Sequence, residues 1–290
     1  MKCNHLLLAC SGLLGEKVLI KLFRTCTINA VLTDKFSFGI INFCKKNNIN
    51  IFIGNARSNE CYNFAVKYKN CILFSINYLF LFNSNMLDNF KQRFNIHGSL
   101  LPKYRGRAPH IWAIINNEKK TGITIHELTL ECDAGDIYFQ KEIPIKNSDT
   151  GGAILNKYIY HYPKIINQFL LFLSKQKIYP IKQNNNLSTY YEKRSPEDGK
   201  IVWDWQRERI YNWVRALAHP YPGAFCYYNN SKIIINRIKY SDFGYSNLVK
   251  NGTIISKENN LIVKTPNGCI EIFEYSSDDD ISFSCNNYFI

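Results

Sequence analysis

Asn95 and His97 lie two residues apart in Phe94-Asn95-Ile96-His97-Gly98-Ser99-Leu100-Leu101-Pro102, and Asp133, thirty-six residues after His97, opens Asp133-Ala134-Gly135-Asp136. The first stretch reads as the end of a β-strand, where residues i and i+2 leave the backbone on one face, so the amide and the imidazole share a site. An amide that donates to an oxyanion, an imidazole suited to moving protons at neutral pH and an acid that fixes the imidazole's tautomer are sufficient for attack of an amine on a carbonyl carbon. One good oxyanion donor contributes about 3 kcal/mol to such a reaction. Gly98 lets the chain leave the strand sharply, and Pro102 and Pro109 stiffen the loop that follows.

The elements that must carry these residues alternate. Apolar runs at His5–Ala9, Thr27–Leu32, Ile49–Ile53 and Cys71–Phe74 read as strands. Segments of helical periodicity follow Ser11-Gly12 and occupy Phe36–Lys45 and Asn59–Lys67. This order predicts an α/β fold, a Rossmann-like, mostly parallel sheet with helices on both faces. Ser11-Gly12-Leu13-Leu14-Gly15 is the nearest approach to Gly-x-Gly-x-x-Gly, so a dinucleotide is not the expected ligand. Ligands of open α/β sheets sit beyond the carboxyl ends of the strands, where Asn95 and His97 are placed. A helix at His110–Asn116, strands at Ile123–Leu128 and Ile137–Phe139 and a long amphipathic helix at Thr150–Ser174 complete a catalytic domain of residues 1–182. The polar, Asn-rich residues 183–205 read as a linker. Residues 206–290 read as a small C-terminal β-barrel or OB-like domain, with a helix at Gln206–Ala218 and short strands at Ala224–Tyr228, Lys232–Tyr240, Leu261–Lys264 and Cys269–Tyr275.

Composition excludes some classes. A 46% apolar and 20% charged chain of 290 residues is that of a folded protein. The net charge of +13 raises nucleic acid as a partner. The lysines, however, are scattered among Asn and Ile, as in Lys45-Lys46-Asn47-Asn48-Ile49-Asn50, and a positive field equally suits an anionic small substrate. Ten cysteines form no Cys-x-x-Cys pair and no Cys/His ligand set, which points away from metal and from a disulfide framework and toward a reducing cytoplasm. Leu7-Leu8-Ala9-Cys10 looks like a lipoprotein cleavage site, but the apolar stretch before Cys10 is too short for a signal peptide and reads as a first buried strand. No membrane association is expected.

The run Asn95 to Pro109, with Lys103-Tyr104-Arg105-Gly106-Arg107-Ala108 inside it, resembles the signature of the formyltransferases that use 10-formyltetrahydrofolate. Thr121-Gly122-Ile123-Thr124-Ile125-His126 and Asp133-Ala134-Gly135-Asp136-Ile137 match the same family in order and distance. The resemblance implies that Asn95, His97 and Asp133 are catalytic and that 10-formyltetrahydrofolate is the co-substrate, with no metal. It implies further that Leu79, Phe80, Leu81, Asp133 and Asp136 line its pterin site. Ser99, Arg105 and Arg107 are the candidate substrate-binding residues, although the two arginines equally suit holding the loop through carboxylates. His110, His126, His161 and His219 read as structural.

Among the family's branches, glycinamide ribonucleotide transformylase has Pro at the position of Gly98 and lacks both the Arg105–Pro109 run and a C-terminal barrel. Methionyl-tRNA formyltransferase carries a basic, Gly-rich insertion where Leu32–Gly39 passes directly into the next helix. Trp213-Val214-Arg215-Ala216-Leu217-Ala218-His219-Pro220-Tyr221-Pro222-Gly223-Ala224-Phe225 looks like the sugar nucleotide formyltransferases, including the formyltransferase domain of the lipid A aminoarabinose pathway. The expectation is a cytoplasmic, homodimeric sugar N-formyltransferase acting on a nucleotide-linked amino sugar. The first candidate is dTDP-4-amino-4,6-dideoxyglucose, destined for O-antigen or another surface polysaccharide, with no nucleic-acid partner. Methionyl-tRNA formylation and a non-catalytic folate- or RNA-binding module are the alternatives. Residues 241–290 resemble nothing that can be placed.

Overall fold

The computed structural model describes residues 4–290, which leaves Cys3 outside the described residues. In chain order the first half runs β1 (His5–Cys10), α1 (Gly12–Leu22), β2 (Thr27–Thr33), α2 (Phe38–Lys46), β3 (Asn50–Ile53), α3 (Asn59–Ala65), β4 (Ile72–Ile76), α4 (Ser84–Leu87) and β5 (Arg93–His97). It continues with β6 (Arg105–Gly106), α5 (Pro109–Ile115), β7 (Lys120–Glu127), β8 (Ile137–Pro144), α6 (Gly151–Lys175) and β9 (Tyr190–Tyr191). The remainder is α7 (Arg207–Leu217), β10 (Ala224–Tyr228), β11 (Ser231–Ser241), β12 (Ile254–Ser256), β13 (Leu261–Thr265) and β14 (Gly268–Ser276).

Two compact units result, and they are not the contiguous blocks expected. The first gathers the chain up to Pro109 with Thr121–Ile143 and Leu155–Tyr191; the second gathers His110–Lys120, Pro144–Ile154 and Glu192–Ile290. Gln183–Tyr191, expected to be linker, thus belongs to the first unit.

The first unit is built on a seven-stranded sheet in the order β3-β2-β1-β4-β5-β7-β8, parallel from β3 to β5, with β7 antiparallel to β5. β1 reads as an unbroken apolar run because it lies between β2 and β4 and is covered on both faces. Leu6, Leu7 and Leu8 are all 0% exposed, each contributing about 2 kcal/mol by burial. Leu7, Ala9, Leu32 and Leu73 face Cys61 and Ala65 of α3 and Met86 and Leu87 of α4. On the opposite face, Phe169 of α6 meets Phe74 and Phe94 edge-on, at 6.5 and 4.8 Å between ring centroids. Cys10, expected as a cleavage-site mimic or buried residue, is fully buried at the end of β1.

The second unit holds a five-stranded antiparallel sheet in the order β10-β11-β14-β13-β12. Two of its strands, β13 and β14, lie where Leu261–Lys264 and Cys269–Tyr275 were expected, whereas β12 was not anticipated. The last four residues bond to both edges: Tyr227 and Ile290 exchange two backbone bonds at 2.9 and 2.8 Å, and Ile254 donates to Asn287 at 2.9 Å. Residues 287–290 therefore cover part of both outer edges of this sheet. Among the described residues no helix is long and apolar enough to cross a membrane, and no group of three or more His, Cys, Asp or Glu is positioned to hold a metal ion.

Candidate active site

Asn95 and His97 point from one face of β5, at its carboxyl end, and the register of the antiparallel neighbour decides what stands opposite them. Asn95 pairs with His126 of β7 and His97 with Thr124, and cross-strand partners share a face. Asp133, on the loop between β7 and β8, completes the cluster. Asn95 Nδ2 lies 3.2 Å from Asp133 Oδ1 and 3.0 Å from His126 Nε2. His97 Nδ1 lies 3.4 Å from Asp133 Oδ2, and His126 Nε2 lies 3.4 Å from Oδ1. The Gly106 N–H donates to Asp133 Oδ2 at 2.9 Å, and the Cys132 thiol does so at 3.3 Å. Asp133 is 8% exposed and held at φ 55°, a left-handed conformation that an ordinary residue keeps only when its surroundings impose it.

The electrostatics follow. Burial by itself raises the Asp133 pKa, but the charge of His97 first, and the Gly106 N–H with it, outweigh it and leave the carboxyl well below the usual range. Cys132 moves the other way: although the residue as a whole is exposed, desolvation of its thiol first, then the adjacent Asp133 charge, push it up to about 12, so it remains a donor rather than a nucleophile. Beside an ionised carboxylate the inner atom of the Asn95 amide must be nitrogen, and both of its hydrogens are used, one by Asp133 and one by His126. His126 Nδ1 faces the Glu127 carbonyl at 2.7 Å and so carries the proton, leaving Nε2 to accept from Asn95. His97 Nε2 faces the Tyr104 carbonyl at 2.7 Å, which makes that nitrogen the donor.

The other expected site residues separate into two groups. Arg105, proposed from sequence to bind substrate, is 1% exposed and spends its guanidinium internally. Nε and Nη2 bond Gln183 Oε1 at 3.2 and 2.7 Å, Nη2 bonds Asn185 at 2.8 Å, and Nη1 bonds the Tyr190 hydroxyl with Glu131 3.6 Å away. It holds the loop, and substrate binding is corrected to that role because it has no donor to offer. Ser99 is likewise 1% exposed and donates to the Lys103 carbonyl at 2.7 Å, so it fastens the same loop from within. Arg107 is half-buried and donates through Nη2 to the Leu79 carbonyl at 2.8 Å, which brings the Arg105–Pro109 run beside the candidate pterin segment. Leu79 and Leu81 are exposed at 42% and 47%, Phe80 is half-buried against Tyr78, and Asp136 is half-buried with its carbonyl bonded to Glu127 N at 2.9 Å.

Gly98 does not adopt a positive φ. What it supplies is space, since a Cβ there would come within 2.6 Å of Tyr158 Cε2, whose hydroxyl donates to the Gly98 carbonyl at 2.6 Å. The freedom of glycine is used instead at Gly106, with φ 96° and Tyr191 O 2.2 Å from where a Cβ would be.

Two residues of the site were missed by sequence reading. His126 was taken as structural; its position within a strand opposite Asn95 is visible only once the register of β5 and β7 is known. Gln183 fell in the expected linker, yet its Nε2 donates to the carbonyls of Asp133 and Gly135 at 2.8 and 2.6 Å while its Oε1 accepts from Arg105. One amide thus ties the Asp133 loop to the Arg105 loop. The pair β6 and β9 runs alongside, with Arg105 N bonded to Thr189 O at 2.8 Å and Tyr104 stacked on Tyr191 at 5.1 Å.

A buried, ionised Asp between two imidazoles, with an amide donor on the same face, is equipment for acyl transfer. Two family descriptions match the chain in tandem, formyl transferase over residues 56–170 and formyl transferase, C-terminal domain, over residues 193–289. The chain belongs to the formyl transferase family. It is similar to the bifunctional polymyxin resistance protein ArnA of Wigglesworthia glossinidia brevipalpis, 36% identical over 269 residues, covering 90% of this chain and 40% of that protein's length. Its fold is shared with an N-formyltransferase of Helicobacter canadensis solved with folinic acid and dTDP-3-aminofucose (TM-score 0.73, 23% identity, 93% of this chain and 99% of that one). WlaRD, a sugar 3N-formyl transferase solved with dTDP and 5-N-formyl-THF, has the same fold (TM-score 0.67, 22% identity, 96% and 99%). So does the methionyl-tRNA formyltransferase of Clostridium thermocellum (TM-score 0.58, 21% identity, 82% and 94%).

Proposed function

We propose that this chain transfers the formyl group of 10-formyltetrahydrofolate to the amino group of a nucleotide-linked amino sugar. The observation that carries the reading is the convergence of Asn95, His97 and Asp133 at one strand end. In the reaction the neutral amine adds to the formyl carbon and the carbonyl oxygen gains negative charge. The bond from that carbon to N10 of the folate then breaks, and the proton lost by the amine is taken up by N10. His97 is the group that moves this proton, and Asp133 holds its Nδ1 side and balances its charge. The Tyr104 carbonyl occupies Nε2, so substrate exchanges with that bond. Asn95 stabilises the oxyanion by turning one amide hydrogen away from an internal partner. The bond given up is the one to His126, since a hydrogen bond to a neutral imidazole is weaker than one to an ionised carboxylate. Leu79–Leu81 and the Asp133–Asp136 loop are the proposed walls of the pterin site.

ArnA similarity and the fold shared with sugar N-formyltransferases support an amino sugar as acceptor. So does the direct passage of β2 into α2, where Asp34 accepts from Ser37 Oγ and Phe36 N at 2.6 and 2.8 Å in a tight turn with no basic insertion. The acceptor proposed first is dTDP-4-amino-4,6-dideoxyglucose, in a cytoplasmic homodimer serving surface polysaccharide synthesis. The test is the purified chain with 10-formyltetrahydrofolate and a panel of dTDP-4-amino, dTDP-3-amino and UDP-linked aminopentose sugars, read by product mass. Formylation of charged initiator tRNA with none of the sugars modified would overturn the reading.

A further inference from the structure

The second unit contains a cavity of about 740 Å³ that the formyl-transfer chemistry does not use, and its wall residues all belong to that unit. The volume is that of a site for a small organic molecule. Three features give it a chemical character.

Arg215, in the last turn of α7, lines the cavity and is 8% exposed. Its Nε donates to Asn212 Oδ1 at 2.9 Å and its Nη1 to the carbonyls of Lys146 and Asp149 at 3.2 and 2.7 Å, while Nη2 takes part in none of these bonds. All three acceptors are neutral oxygens, and the nearby Asp149 carboxylate offsets part of the guanidinium's charge; a buried guanidinium held largely by dipoles still favours an anion.

The amino terminus of the 25-residue helix α6 lies at the same wall. Ser148 and Thr150, immediately before it, both line the cavity, and Thr150 Oγ1 caps the helix by accepting from Ala153 N at 3.1 Å. The helix dipole adds positive potential at this end.

The remaining wall is aromatic and basic. Tyr211, Tyr221 and Phe273 line it, and Arg237 of β11 lies over the Phe273 ring at 5.1 Å. Arg237 is also 3.7 Å from Glu274, an exposed pairing that contributes little and that a stronger anion displaces.

A charged corner formed by Arg215 and a helix terminus, beside flat apolar walls, matches one class of ligand: a phosphate ester carrying a planar ring. We propose that this cavity binds a nucleoside phosphate through Arg215, Arg237 and the α6 terminus. The cavity is built by this unit alone and binds nucleotide whether or not the formyl acceptor is nucleotide-linked. Two sources share the chemistry, the nucleotide handle of the acceptor and a free nucleotide acting as effector.

The test uses the whole chain. Thermal denaturation and calorimetry with dTMP, UMP and inorganic phosphate are expected to give stabilisation by the nucleotides, weaker stabilisation by phosphate, and at least a tenfold weaker nucleotide Kd in Arg237→Glu. Ile234→Trp, which fills the cavity from β11, serves as a second variant if charge reversal disturbs the fold; His97→Ala should bind nucleotide as the parent does. A raised KM for the nucleotide-linked amino sugar in Ile234→Trp identifies the acceptor's handle as the occupant, and an unchanged KM with lost dTMP or UMP binding identifies an effector. Absence of nucleotide binding by the parent chain, unaltered binding in both cavity variants, or full stabilisation by inorganic phosphate alone would overturn the proposal.

Discussion

Replacing Asp133 by Asn keeps the volume of the side chain and removes its charge, which isolates the electrostatic part of the site. Two unit charges 3.4 Å apart, the His97 Nδ1 to Asp133 Oδ2 separation, attract by about 5 kcal/mol at an effective dielectric constant of about 20. The Asn also sets an NH2 group against at least one of the donors that Asp133 now accepts, Asn95 Nδ2, Gly106 N or Cys132 Sγ. An orphaned buried donor costs about 1–3 kcal/mol. If about 4 kcal/mol of this acts on the transition state, where His97 carries the proton in flight, kcat falls about a thousandfold with KM for the folate little changed. Steady-state kinetics with 10-formyltetrahydrofolate and the amino sugar measure both. A variant retaining kcat within about tenfold of the parent would refute the role given to Asp133. Stability supplies a second readout. The Asp133 pKa in the folded chain lies below its unfolded value of about 3.9, so its contribution is complete above about pH 5 and is lost as the pH falls toward the folded value. The parent should therefore lose stability more steeply than Asp133→Asn as the pH falls below about 4 in chemical denaturation, and parallel acid limbs would contradict the depressed pKa.

Other perturbations probe the supports. His126→Leu removes the acceptor of the second Asn95 hydrogen and a partner of Asp133. It should lower kcat about tenfold, whereas His126→Gln, whose amide oxygen can accept from Asn95, should recover most of it; equal losses in the two variants would make His126 mere packing. Gln183→Ala cuts the tie between the Asp133 and Arg105 loops and leaves four buried bonds unmade. The expected cost is about 2–4 kcal/mol of stability by denaturant titration together with a fall in kcat. Gly98→Ala puts a methyl 2.6 Å from the Tyr158 ring and should destabilise the fold by about 1–3 kcal/mol, because both the ring and its hydroxyl are fixed. Arg107→Ala releases the Leu79 carbonyl and should raise the KM for the folate several-fold without lowering the melting temperature, which separates it from the buried Arg105.

The alternation of strands and helices was legible because it rests on local periodicity, and β1 to β5 were each anticipated within a few residues. So was the shared face of Asn95 and His97, a consequence of strand geometry alone. What local pattern cannot carry is register. His126 stands opposite Asn95 because β7 turns back antiparallel to β5, and no property of Thr124-Ile125-His126 considered by itself shows that. Arg105 was left between substrate and loop for a related reason: an arginine in a glycine- and proline-bounded loop looks free until its partners, about eighty residues downstream at Gln183, Asn185 and Tyr190, are known.

The polar stretch after Lys182 has the composition of a linker, and composition was a poor guide there for a physical reason. Asp133 sits at a left-handed φ and Gly106 at another, so neither loop holds its shape by backbone preference. Each needs an outside partner for its carbonyls and amides, and an apolar segment has only its own backbone to give. Gln183, Asn185, Thr189 and Tyr190 are polar because they supply those partners: Gln183 to Asp133 and Gly135, Thr189 through Oγ1 and carbonyl to Tyr104 and Arg105 at 2.8 Å each, Asn185 and Tyr190 to Arg105. The opening triad of Asn95, His97 and Asp133 therefore depends on a fourth segment for its geometry. A Gln183→Glu variant tests that dependence directly: the carboxylate can still accept from Arg105 but can no longer donate to Asp133 O, so activity should fall further than stability.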